Sequence, residues 1–228
     1  MGTASEIPRH PAKAPSSEGA FVVLDGVGLD AHAVARLADA LAEPTAAPRA
    51  VARAERSWHT ARRLAAAGRM YGRDTGVGAN RMVFLSDEDQ VGQDLRLLRS
   101  HAGGVGALLP TRQVRAMLAV RANQVLAGGS GLQPAVAQAL VEALRLGVHP
   151  AVNEFGAVGT GDLTALAQTG LTVIGERPWL SDEAAPRPPA GAPGPDAPTG
   201  PAVPAPVVLE HGDALALMSS NALTLGQA

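Results

Sequence analysis

The sequence predicts a mainly α-helical protein with one short strand near its N-terminus, and three observations carry that expectation. Ala and Leu supply most of the 46% hydrophobic fraction while aromatic residues make up only 3%, a mix that favours helices over sheets. Apolar residues recur at helical spacing through several long runs. Residues that start or stop helices stand at the ends of those runs, among them Asp30, Ser86 and Pro134 at starts and Gly68 at an end.

Residues 1–20 are small, polar and rich in proline. They bury too little apolar surface to offset the entropy of ordering them, so a disordered tail is expected. Residues 21–24 (Phe-Val-Val-Leu) read as the short strand, and Asp30 then caps a helix over about 31–42 that ends before Pro44. A longer helix is expected over residues 50–67, where Val51, Trp58, Ala61, Leu64 and Ala65 lie near helical spacing and Gly68 closes the run. The stretch Tyr71-Gly72-Arg73-Asp74-Thr75-Gly76-Val77-Gly78 places three glycines in eight positions, which neither helix nor strand tolerates well, and it reads as a loop. Ser86 followed by Asp87, Glu88 and Asp89 sets a cap and three carboxylates at the start of the next helix, expected to run to Ser100. Further helices are expected over residues 111–127 and 134–146. An extended stretch follows over 150–158, and a new helix begins near Thr160 and Asp162.

These elements form one helical domain over residues 21–183. Residues 184–206 hold nine of the chain's 18 prolines, the composition of a stiff exposed linker. Residues 207–228 resume an apolar helical pattern around Leu209, Leu215, Leu217 and Met218 and read as the start of a bundle helix. Leu215, Leu217 and Met218 are expected to stay partly exposed unless further chain covers them.

Charge and composition exclude several function classes. A net charge of −2 from 19 basic and 21 acidic residues leaves no broad basic field for nucleic acid or an anionic membrane surface. Lys13 is the only lysine and lies in the expected tail, which removes Schiff-base lysine chemistry and the phosphate-gripping lysine of a P-loop. Cysteine is absent, so disulfides, thiol nucleophiles and thiolate metal sites are excluded. No stretch approaches the roughly 20 apolar residues of a membrane span, and the N-terminus lacks a signal-type apolar run. A soluble, cytoplasmic protein is expected, with no membrane or nucleic-acid partner and no metal.

One motif candidate fails on context. Gly26-Val27-Gly28-Leu29-Asp30-Ala31 follows a strand and opens a helix, as a dinucleotide fingerprint does, but the next hundred residues give helical patterns where that fold needs alternating strands. It reads as a turn.

Four other segments form a collinear set: the Tyr71 loop, Ser100-His101-Ala102-Gly103-Gly104-Val105-Gly106, Arg121-Ala122-Asn123 with Gly129-Ser130-Gly131, and Gly159-Thr160-Gly161-Asp162-Leu163. Singly, each has a plain structural reading: a ring at a loop base, a helix-end histidine, a helix cap. Together they resemble the aromatic amino-acid ammonia-lyases (the histidine and phenylalanine ammonia-lyase family). Those chains carry Tyr-Gly-x-Asn-Thr-Gly-Phe-Gly, Ser-His-Ala-x-Gly-Val-Gly, Arg-x-Asn with Gly-x-Ser-Gly, and Ala-Ser-Gly-Asp-Leu in this order. The resemblance runs from Phe21 to Glu176 and resumes weakly near 209–222, the N-terminal half of such a chain.

The resemblance implies the N-terminal portion of an ammonia-lyase-type helical fold. It also implies elimination of ammonia from an aromatic amino acid such as histidine, phenylalanine or tyrosine. The family's electrophile, a methylidene-imidazolone, arises from its own backbone when Ala-Ser-Gly cyclises and loses water, and no external cofactor is needed. Here Gly159-Thr160-Gly161 occupies that position: Thr160 has the β-hydroxyl to eliminate, and its extra methyl would give an ethylidene group. Thr160 as a plain helix cap remains the alternative. Tyr71 matches the family's proton-removing tyrosine and His101 its active-site histidine, so Tyr71, His101 and Thr160 are expected to converge. Ser219 falls where the pattern Glu-Gly-Leu-Ala-Leu-x-Asn-Gly-Thr carries an asparagine beside the electrophile. Asp74 and Val77 also depart from the family pattern. The resemblance further implies a homo- or hetero-oligomer in which another subunit supplies the C-terminal half. A catalytically inactive relic or binding subunit on the same scaffold, and an aminomutase using the same electrophile, stay open beside the lyase.

Overall fold

The computed structural model describes residues 20–68, 70–90, 92–181 and 202–228. The tail expected over 1–20 and the linker over 184–206 lie outside the described residues, apart from residue 20 and residues 202–206. In that last piece Pro204 is buried.

The chain opens with β1 (Phe21–Leu24), whose inward side chains Val22 and Leu24 alternate with exposed Phe21 and Val23. α1 (Ala31–Ala38) follows, capped as its sequence predicts by the Asp30 carboxylate, which accepts the Ala33 N–H at 2.8 Å. The helix stops at Ala38, short of residue 42, because the chain turns at Ala40 (φ 55) to form β2 (Glu43–Ala46), which pairs in parallel with β1. α2 (Pro48–Ala67) starts on a proline and ends at Gly68.

The helix expected over 86–100 is two. The Ser86 hydroxyl accepts the Asp89 N–H and caps α3 (Asp87–Gln90), but Gly92 adopts φ 73 and the chain restarts as α4 (Gln93–His101). After β3 (Val105–Leu108) come α5 (Thr111–Leu126) and α6 (Pro134–Leu146), close to their expected bounds. β4 (Val148–Pro150), β5 (Asn153–Phe155), α7 (Leu163–Val173) and β6 (Trp179–Ser181) complete the stretch before residue 182. β3 pairs antiparallel with β5 and β4 with β6, so the sheets among the described residues are all two-stranded.

α5 is the hub. Val114, Met117, Leu118, Ala119, Ala122, Val125 and Leu126 are all buried, and α1, α2 and α6 pack around it. Two arginines on this helix are buried as well, and both cap neighbouring helices. Arg115 donates to the carbonyls of Leu37, Ala38 and Leu144 at the C-terminal ends of α1 and α6, where orphan carbonyls and the helix dipole favour a cation.

The C-terminal segment departs from a single bundle helix. It forms α8 (Asp213–Met218) and α9 (Ala222–Gln227), separated by a turn at 219–221. Leu217 and Met218 are fully buried, contrary to the partial exposure expected of them, while Leu215 stays partly exposed. The chain's own helices cover them: α8 lies on α4 and α7, and α9 lies along α5. No helix of the described residues is long and apolar enough to cross a membrane.

Candidate functional site

The Tyr71 loop is built from local main-chain bonds. The Met70 N–H donates to the Asp74 carboxylate at 2.8 Å and the Gly72 N–H to the Thr75 hydroxyl at 3.1 Å. Thr75 bridges to Phe84, Gly76 N–H donates to Val83 and Leu85 N–H to Asp74, closing the loop as a narrow antiparallel return. Gly72 sits at φ 70 where a Cβ would collide with the Leu215 side chain, so a glycine is required for the loop to approach α8. Tyr71 is the residue just before this contact. The phenol is 56% exposed, and its oxygen accepts the Gly78 N–H at 3.0 Å. That bond leaves the phenol's own proton unengaged.

Tyr71 stands on the wall of a cavity of about 260 Å³ shared with Ser130, His211, Asp213 and Ser219. The structure therefore brings together Tyr71 and Ser219, which are distant in sequence. Burial pushes the Asp213 carboxyl up to about 6, against the hydrogen bonds from Gln133 that hold it down and with the nearby Asp94 charge adding to the rise. His101 and Thr160 are not among the described residues lining this cavity. His101 ends α4, half-buried, with Nδ1 2.8 Å from the Leu97 carbonyl. A carbonyl only accepts, so the hydrogen sits on Nδ1 and Nε2 is left as an acceptor.

The Gly159-Thr160-Gly161 turn docks on the segment that carries Ser219. Gly159 (φ 87) and Gly161 (φ 103) both adopt left-handed backbone, which gives the tight turn a glycine pair permits. The Asp162 N–H donates to the Ser220 carbonyl at 2.8 Å, and the Asp162 carboxylate accepts the Thr224 N–H and hydroxyl at 2.9 and 2.8 Å. A Cβ on Gly161 would lie 3.1 Å from the Ser220 carbonyl oxygen and 3.3 Å from Asn221 Oδ1. The position before α7 belongs to Asp162, so Thr160 is not the helix cap; its side chain is exposed.

One network holds the 216–221 turn in place. Buried Arg121 donates to the carbonyls of Ala216 and Leu217 and to Gln124 Oε1, and that same oxygen accepts the Ser220 hydroxyl at 2.6 Å. Burial pushes the Arg121 guanidinium down to about 10, which still leaves it charged near neutral pH. The Arg-x-Asn motif thus acts through the scaffold: Arg121 fixes the turn, and Asn123 accepts the N–H of Gly26, just after β1, at 2.8 Å.

Sequence reasoning missed two residues of this region. Asn221 stands two positions beyond Ser219 and places a carboxamide beside Gly161, and its signal was being the one carboxamide in that turn. His211 lines the Tyr71 cavity with no local motif to announce it. Among the described residues no cluster of three or more His, Asp or Glu is arranged to hold a metal.

Comparison with known proteins matches this architecture to one family. The model of the aromatic amino acid lyases matches residues 29–228. The histidine ammonia-lyase of Anaeromyxobacter dehalogenans is 36% identical over 203 residues, covering 88% of this chain and 40% of that protein. The probable histidine ammonia-lyase of Halobacterium salinarum is 36% identical over 214 residues, 91% of this chain and 38% of that protein. The tyrosine aminomutase of Streptomyces globisporus superposes with a TM-score of 0.76 at 27% identity, covering 90% of this chain and 38% of its own. The histidine ammonia-lyase of Trypanosoma cruzi shares the fold, with a TM-score of 0.70 at 23% identity over 90% of this chain and 38% of its own. The chain spans about two fifths of the length of these relatives. With its motifs in family order and its described helices in the family's arrangement, the chain belongs to the aromatic amino acid lyase family.

Proposed function

We propose that this chain supplies the base and the electrophile precursor of an ammonia-lyase site acting on an aromatic amino acid such as histidine, phenylalanine or tyrosine. One observation carries the reading: the 219–221 turn joins the two halves of the site. Ser219 lines the cavity with Tyr71, while the next two residues contact Gly161 and Asp162.

The 159–161 turn fits the electrophile of this family. Cyclisation needs the Gly161 nitrogen to reach the Gly159 carbonyl, and two left-handed glycines around an exposed Thr160 provide the tight, uncrowded backbone it requires. An imidazolone formed there, with an ethylidene group from Thr160, supplies an electron-poor carbon that activates the amino acid for loss of ammonia. Tyr71 is the base that removes the substrate proton, and the Gly78 N–H donates to the oxygen on which negative charge resides. Asn221, beside Gly161, is placed to do what the asparagine of the family pattern does, which compensates for Ser219 at the aligned position. His101, with Nε2 free to accept, serves as a substrate-binding group. Among the described residues the cations lining the cavity are Arg62, paired with Glu210, and Arg73. A second subunit that carries the C-terminal half of the fold completes the site.

The test expresses the chain with and without such a C-terminal-half subunit, followed by intact mass and an ultraviolet assay for the arylacrylate product. The expected result is a mass lowered by two waters, one each from cyclisation and elimination, and product formation only with the partner. Thr160→Ala should abolish the second water loss and the activity. An unmodified mass with no product in either condition would leave the other reading, a non-catalytic subunit on the lyase scaffold, which Thr160 and Ser219 in place of the family's residues favour.

A further inference from the structure

We propose that His211 is the proton carrier of the site, taking the proton from Tyr71 and passing it out of the cavity past Asp94. The inference rests on the reading of Tyr71 as the base. A base that removes a substrate proton holds it as a phenol at the end of each turnover, and with substrate filling the cavity mouth the proton must leave through a wall group.

The titratable walls of the cavity are few. Arg62 and Arg73 do not accept protons near neutral pH. Asp213 has both oxygens engaged, Oδ1 by the Gln133 N–H and Oδ2 by the Gln133 side chain and the Glu210 N–H. His211 differs from all of these: both ring nitrogens are buried and neither has a hydrogen-bond partner. Each instead faces a carboxylate from a different element. Nδ1 lies 3.5 Å from Asp94 Oδ2 on α4, and Nε2 lies 3.9 Å from Asp74 Oδ1 in the Tyr71 loop.

Position favours the same residue. A second cavity of about 650 Å³, lined by Gln90, Asp94, Leu95 and Val207 among others, also has His211 in its wall. His211 is the one described residue lining both cavities. Asp94 is held still at the boundary, accepting the Gly212 and Ala214 N–H groups at 3.0 and 2.6 Å. The other charges around the ring are Glu210, paired with Arg62 of α2, Asp213 at the start of α8, and Arg73, which packs on Gly212.

The transfer balances without a co-reactant. The phenol O–H bond breaks and an imidazole N–H bond forms, leaving a phenolate and an imidazolium flanked by Asp74 and Asp94. The imidazolium then loses a proton on the Asp94 side to water in the second cavity, and the neutral ring is restored.

The experiment uses the chain together with its C-terminal-half subunit. His211→Ala is expected to lower kcat about a hundredfold, the lower end of general acid–base effects, with KM unchanged, and added imidazole should restore part of the loss. Asp74→Asn, which keeps the histidine, should lower kcat by a smaller factor. An unchanged kcat in His211→Ala overturns the proposal, as does a loss that imidazole fails to restore, since a merely structural defect is not mended by a free base. Nuclear magnetic resonance of the His211 ring in the chain alone gives an outcome independent of turnover: a ring that keeps one protonation state between about pH 5 and 8 cannot carry the proton, and the proposal falls. Wild-type protein that makes no product removes the base role of Tyr71 and the relay with it. Product formation with an indifferent His211→Ala removes the relay alone.

Discussion

The α5–α6 hub and the Tyr71 loop are built on opposite principles. In the hub, side chains are buried to the point that even the arginines Arg115 and Arg121 lie inside, each spent on capping carbonyls of neighbouring helices. In the loop, Gly72 and Thr75 are buried while Met82, Val83 and Phe84 are 73, 55 and 52% exposed. What holds the loop is a handful of main-chain and short side-chain hydrogen bonds within residues 70–85. The residue that carries the proposed chemistry therefore sits where the fold invests least, and it is positioned by a few contacts of the loop with α8 and the residues before it: Gly72 on Leu215, Arg73 on Gly212 and Asp74 facing His211.

Truncation should expose this contrast most sharply. Leu118 is 0% exposed at the centre of α5, so Leu118→Ala is expected to cost about 2–5 kcal/mol by lost burial and the cavity left behind. Phe84→Ala, in the loop, should cost under about 1 kcal/mol although the side chain is larger, because half of it already faces water. Urea unfolding of the two variants gives the comparison. Equal losses would mean that the loop is part of the folding core.

Asp213 lies on the seam between the two regions, and its ionisation gives the next largest effect. Its folded-state pKa is about 6, above the ordinary 3.8, so the folded protein binds this proton more tightly than the unfolded chain does. The resulting stability is fully present below pH 3.8 and is lost as pH rises through 6. The loss amounts to about 3 kcal/mol at 1.36 kcal/mol per unit. Unfolding free energies at pH 4 and pH 7 should therefore fall more steeply in the wild type than in Asp213→Asn, whose side chain does not titrate. Parallel pH dependences in the two proteins would show that Asp213 is ionised without penalty.

The hub was legible in the sequence and the seam was not, for a physical reason. Helix starts and stops are local: Asp30, Pro134 and Gly68 act within a few residues of themselves, and α1, α6 and α2 begin or end where they stand. Pairing is not local. β2 forms because β1 lies beside it, and nothing in Glu43–Ala46 alone announces a strand. Gly92 divides a run whose polarity pattern is continuous on both sides. The burial of Leu217 and Met218 depends on α4 and α7 reaching them, which a pattern along one segment cannot foresee. In the candidate site, Tyr71, Thr160 and Ser219 came from the order of motifs. Asn221 needed the turn at 219–221, and His211 needed two cavities that no spacing encodes.

The smallest expected effect tests whether the loop is a cooperative unit of its own. Thr75 is 7% exposed; its hydroxyl accepts the Gly72 N–H and donates to the Gly76 carbonyl at 3.0 Å. Thr75→Val keeps the shape and removes both bonds, leaving the Gly72 N–H without its acceptor at a cost of about 1–2 kcal/mol. If the loop opens independently of the hub, that cost falls on local opening alone. Amides of residues 71–76 should then exchange hydrogen about 5–30 times faster, while α5 and α6 amides, which exchange through global unfolding, keep their rates. Faster exchange in both regions by the same factor would mean that loop and hub open together, and the division between scaffold and site drawn from their burial would not describe how the molecule moves.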